Sequence, residues 1–166
     1  MERLIDLTHF LYGRGFWYAD PVREADGLTE EQLFWVPDEN ALPIIWQVGH
    51  IAHRERFHIG VFLQGLPSNV IPDEMEVYGA DWVPIEEIKK GPTVEEVFAW
   101  ARDVREESHR YIDSLEPDDF WKVLPDAGDQ LPIGHWLFIT VAHTALHIGR
   151  IQMLRALIEG TKERAC

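Results

Sequence analysis

The chain has 166 residues and 46% hydrophobic content, which fits one globular domain over 1–166 and excludes a disordered polymer. Its 29 acidic and 15 basic residues give a formal charge of −14, a field that repels phosphate backbones and argues against nucleic-acid binding. The single cysteine is Cys166, so no disulfide within the chain is expected, as suits a reducing, cytoplasmic setting.

The first segment, Met1-Glu2-Arg3-Leu4-Ile5-Asp6, has no basic stretch leading into an apolar run, so a signal peptide is not expected. Leu4, Leu7 and Leu11 predict a helix from about Glu2 to Tyr18, weakened by Gly13 and Gly15 and ended by Asp20-Pro21. Thr29-Glu30-Glu31-Gln32 is a capping-box pattern that opens a short helical turn through Trp35. A second long helix is predicted from Pro43 to about Gln64.

The 28 residues from Gly65 to Pro92 contain four prolines and show neither helical nor strand period. That length can cross a bundle end to end, since a 20-residue helix spans only ~30 Å. Thr93, with Glu96 reaching back, caps a third helix. Val94, Val97, Phe98, Ala101, Val104, Ser108, Tyr111, Ile112 and Leu115 set its inner face. A loop from Glu116 to Gln130 leads to a fourth helix, from about Leu131 to Glu159, with Gly160 as its stop.

From Leu131 to Gly149 the fourth segment carries no Asp, Glu, Lys or Arg. A membrane span is nevertheless not expected, because His135, His143, His147, Thr140 and Thr144 interrupt it. A central helix of a bundle suits it better. The fold expected is all-α: a four-helix bundle with a long crossover between helices two and three, running up-down-down-up.

His143 and His147 stand one turn apart on this most apolar helix, the spacing that offers two imidazoles to one ion. The alternative is a pair of core histidines bonded to nearby carbonyls. A third ligand is available in Gly49-His50-Ile51-Ala52-His53-Arg54-Glu55. His50 shares an apolar face with Trp46, Phe57 and Val61, and is preferred; His53, beside Arg54, is the fallback and is expected nearer solvent. His58 falls one position beyond the Phe57 stripe. His9, His109 and His135 are read as structural, with His109 exposed on a charged face.

These residues also carry a resemblance. Ile44-Ile45-Trp46-Gln47-Val48-Gly49-His50-Ile51-Ala52-His53, followed by Glu55 and Arg56, resembles the second helix of the DinB/YfiT-like metalloenzymes. His143-Thr144-Ala145-Leu146-His147-Ile148-Gly149-Arg150-Ile151-Gln152 resembles their fourth. The resemblance implies a divalent ion on His50, His143 and His147, and places Gly149 where a neighbouring helix would approach.

Three neutral imidazoles leave the ion its full charge and an open position, as in catalytic sites. Zinc or nickel suits such a set. The resemblance implies a thiol S-transferase with a low-molecular-weight thiol as cosubstrate. A metal-dependent hydrolase and a non-enzymatic, stress-related metal-binding dimer are the alternatives. Glu55, Arg54 and Arg150 are weak candidates for acid, base or anion anchor, and Trp17, Trp46 and Trp136 for pocket walls. A homodimer is expected because small bundles often pair.

Overall fold

The long helical stretches of the sequence, amphipathic in the third and apolar nearly all round in the fourth, become the helices that build the bundle. The structure is a computed structural model that describes residues 2–15, 19–125 and 130–160. Among them are helices α1 (Glu2–Leu11), α2 (Pro21–Glu24), α3 (Glu30–Leu33), α4 (Ile44–Glu55), α5 (Ile85–Ile88), α6 (Val94–Asp113) and α7 (Ile133–Glu159). No strand occurs among the described residues; one isolated antiparallel bridge joins Val123 to Pro132. None of the described helices is long and apolar enough to cross a membrane.

Caps account for several starts. Thr29 and Thr93 each form a complete capping box, with Gln32 and Glu96 respectively. Asp20 accepts from the backbone of Val22 and Arg23, and Pro21 follows it at the first helical position. α1 is shorter than the sequence pattern implies. It stops at Leu11, and Gly13 adopts φ +94, a left-handed geometry that glycine takes without steric cost. Tyr18, the end expected for this helix, lies outside the described residues, as do Trp17 and Cys166.

Beyond Glu55 the backbone of α4 continues as a π-helical segment, Arg56–Leu63, in which bonds reach one residue further than in an α-helix. The crossover is more ordered than its composition implies, with 3-10 turns at Ser68–Val70 and Asp73–Tyr78, and α5. A further 3-10 turn, Pro117–Trp121, precedes α7.

Contacts fix the directions. Gln47 meets His147 while Phe62 meets Trp136, so α4 and α7 are antiparallel. Glu55 meets Arg105, and Ile59 packs in one cluster with Ile112, so α4 and α6 run parallel. His9 meets both His109 and Asp113, whereas the carbonyl of Tyr12 meets Arg105, so α1 opposes α6. The order is up-down-down-up, as the crossover length requires.

The core has two apolar clusters. One gathers Ile44, Ile45, Val48, Val97, Ala101, Ile151 and Leu154; the other Tyr12, Ile59, Leu63, Ile112, Phe120 and Leu137. Between them lies a belt of buried polar residues, among them His9, His50, Glu55, His109, Thr140 and His147. Each buried polar group there needs a partner, because leaving one unmade costs ~1–3 kcal/mol. The belt is where the bundle departs from a plain hydrophobic core.

Candidate metal centre

α4 and α7 bring three imidazoles together. His50, His143 and His147 each offer a ring nitrogen, and these atoms all lie within 4.8 Å of one another. The sequence pair one turn apart on α7 and the preferred partner on α4 therefore converge. His50 and His147 are each 4% exposed. Trp46 stacks on His50 with centroids 4.3 Å apart, which fixes the ring plane.

Hydrogen bonds set two of the tautomers. His50 Nδ1 donates to the carbonyl of Tyr78 at 2.6 Å. A carbonyl only accepts, so His50 carries its proton on Nδ1 and turns the Nε2 lone pair inward. His147 Nδ1 donates to Gln47 Oε1 at 2.6 Å. Gln47 Nε2 itself donates to the carbonyl of Leu42 at 3.3 Å, which fixes the amide's orientation. His147 Nε2 is thereby also a lone pair. This is how ligating histidines are held, one nitrogen anchored and the other free. His143 Nε2 faces His50 Nε2 at 3.2 Å, while its buried Nδ1 has no hydrogen-bond partner among the described residues.

Electrostatics favours the neutral rings that a cation needs. Burial, above all, lowers the proton affinity of His50 and of His143 to about 4 and of His147 to about 3. Neighbouring histidines and the charges of Arg54 and Arg150 act in the same direction on His143 and His147. The donor set thus fits a metal ion: three neutral rings, two with fixed tautomers, buried enough to disfavour the imidazolium form.

The other histidines separate from this group. His53 is buried rather than solvated, and its Nε2 lies 3.3 Å from Glu76 of the crossover. It does not enter the cluster. His109 is buried as well, contrary to its expected exposure; its Nδ1 lies 2.8 Å from that of His9, whose Nε2 meets Asp113 at 2.6 Å. The local sequence shows charged neighbours but not α1, which covers that face. His135 is exposed.

His58 is the residue that the helical stripe undervalues. Its Nδ1 lies 3.0 Å from Thr140 Oγ1, and Thr140 donates to the carbonyl of Trp136, so His58 must be the donor. Its ring stands 6.5 Å from that of His143. Its sequence signal is position 50 plus eight, but the π-helical segment that carries it is not visible in the residue pattern.

The weaker candidates also find places. Glu55 is 1% exposed and pairs with Arg105 of α6 at 2.8 Å, so its carboxylate is engaged away from the three rings. Arg54 donates to the carbonyl of Gly79 and approaches Asp81 at 3.5 Å. Arg150 is exposed and makes no ion pair among the described residues. Trp46 lines the cluster, while Trp136 packs on His58 and Phe62. Gly149 faces open space rather than a helix. The close approach falls at Gly49, where an added Cβ would stand 2.5 Å from the ring of Tyr78. That approach brings the Tyr78 carbonyl to His50.

The family model of the DinB superfamily matches residues 21–151, a span that contains all three converging histidines. No curated protein matches the chain.

Proposed function

The chain belongs to the DinB superfamily, and from that membership and the three converging imidazoles we propose that it is a divalent-metal-dependent enzyme of the thiol S-transferase type. The observation that carries this reading is the lone-pair geometry. His50 and His147 are anchored at Nδ1 by Tyr78 and Gln47, and their ligand atoms lie with that of His143 within 4.8 Å. Zinc or nickel on these nitrogens would supply a Lewis acid that ionises a bound thiol at neutral pH.

The surrounding residues have definable roles. Trp46 and Tyr78 keep the rings dry and oriented. His58 holds its proton at Nδ1 through Thr140, and burial lowers its proton affinity to about 4, so it stands as a neutral ring beside the centre. Arg54 and Arg150 add positive charge beside the centre in an otherwise acidic protein, which favours thiolate over thiol.

The test loads the protein with zinc or nickel and follows thiol consumption with L-cysteine and 1-chloro-2,4-dinitrobenzene. Metal-dependent acceleration that is lost in His143→Ala supports the reading. Equal rates with loaded, chelated and variant protein across a panel of small thiols contradict it.

A further inference from the structure

Resting on the reading of the centre given above, we infer that the groove beside it is the seat of a carboxylate-bearing, partly apolar part of the substrate, with Arg150 as the anion anchor. The groove encloses about 350 Å³ and is lined by Gln47, Asp81, Trp82, Arg150 and Met153, among others. That volume suits a small organic molecule.

Three elements tie the groove to the centre. Gln47 lines it while accepting from His147 Nδ1. Arg150 follows His147 by one turn of α7. The crossover carries the Tyr78 carbonyl, which holds His50, and four residues later Trp82, which forms the groove wall. The groove therefore adjoins the centre through Gln47 and through the Tyr78–Trp82 stretch.

The chemistry of the walls names the ligand class. Trp82 is 52% exposed and Met153 57%, a large apolar surface left in water beside polar groups. Asp81 also lines the groove, but Arg54 approaches it at 3.5 Å and offsets its charge. Arg150 makes no ion pair among the described residues. In a chain of net charge −14, a guanidinium on the groove wall with no ion pair among the described residues favours a single negative charge. The planar fork of arginine matches a carboxylate, and the acidic surroundings disfavour a dianionic phosphate.

The probes are phenylacetate, its neutral isostere phenylacetamide and phenyl phosphate, titrated by calorimetry at low ionic strength into metal-loaded and chelated protein. Metal content is measured on the same samples. Phenylacetate is expected to bind at least about tenfold tighter than phenylacetamide, the preference one charge-assisted pair gives. Arg150→Gln should abolish that preference while metal content stays unchanged, and Trp82→Ala should weaken both ligands. No binding of phenylacetate, equal binding of the amide, tighter binding of phenyl phosphate, or a preference that survives in Arg150→Gln would overturn the inference. Absent metal with retained phenylacetate preference would instead remove the metal reading and leave the carboxylate groove standing.

Discussion

The Nε2 atoms of His50 and His143 face each other at 3.2 Å across the gap between α4 and α7. His50 has its proton on the far nitrogen, held by Tyr78. The facing position is therefore a lone pair that calls for a proton or a cation. Either His143 donates there or an ion sits among the rings. A divalent ion satisfies all three lone pairs at once, whereas a neutral His143 with its proton on Nε2 satisfies only that of His50.

Binding to the folded state alone raises stability by linkage. Zinc at one hundred times its dissociation constant should add about 2.7 kcal/mol. For a domain of this size that is a rise in melting temperature of roughly 5–10 °C. Differential scanning calorimetry with and without a chelator reads it directly, and an unchanged melting temperature at saturating zinc would count against the site.

Gln47 should matter to affinity out of proportion to its position. It never supplies a ligand atom in this account, yet it fixes the tautomer of His147. Gln47→Leu should lower metal affinity about 10–100-fold, as loss of such an orienting partner does. Competition against a chromophoric chelator measures this, and circular dichroism checks that the helices remain.

Glu55 is predicted to be a structural residue. Its carboxylate pairs with Arg105 at 2.8 Å, and Arg105 also donates to the carbonyl of Tyr12 at the end of α1. Glu55→Ala leaves a largely buried guanidinium without its counter-charge, a change that costs about 3–5 kcal/mol. Urea denaturation should show the loss while metal content per folded chain is preserved. A stable variant that has lost its metal would return Glu55 to the site.

A pH dependence follows from His109. Burial first, then the charge of Arg14, lowers its proton affinity to about 4; His9, Arg105 and Asp113 also act on it. The unfolded chain takes up this proton near the ordinary value of 6.5. Above that pH both states are neutral and the contribution is complete. Between about 6.5 and 4 the unfolded state alone gains the proton, so stability falls as the pH drops through this window. His109→Gln should reduce the fall measured by urea denaturation between pH 7.5 and 5, and an identical fall in both proteins would exclude His109 as a contributor.

Much of this was readable in the residues. The inner face of α6 repeats at helical spacing, and Val97, Ala101, Val104, Ser108 and Ile112 are all buried. His143 and His147 announce themselves because the stretch around them holds no charge. What escaped depends on distant partners. The burial of His109 depends on His9, one hundred positions away, and the role of Gln47 depends on His147, equally far. The π-helical segment includes the apolar run Ile59-Gly60-Val61-Phe62-Leu63, whose composition fits an α-helix equally well. The crossover's turns are set by the surface they cover, so residues 65–92 show no period of their own.

The most direct measurement is metal per chain by elemental analysis, for wild type, His50→Ala, His143→Ala, His147→Ala and, as a control outside the cluster, His53→Gln. The account predicts close to one divalent ion in the wild type and the control, and little in each alanine variant. Equal metal in all five proteins, or none in the wild type after incubation with zinc or nickel, would contradict it.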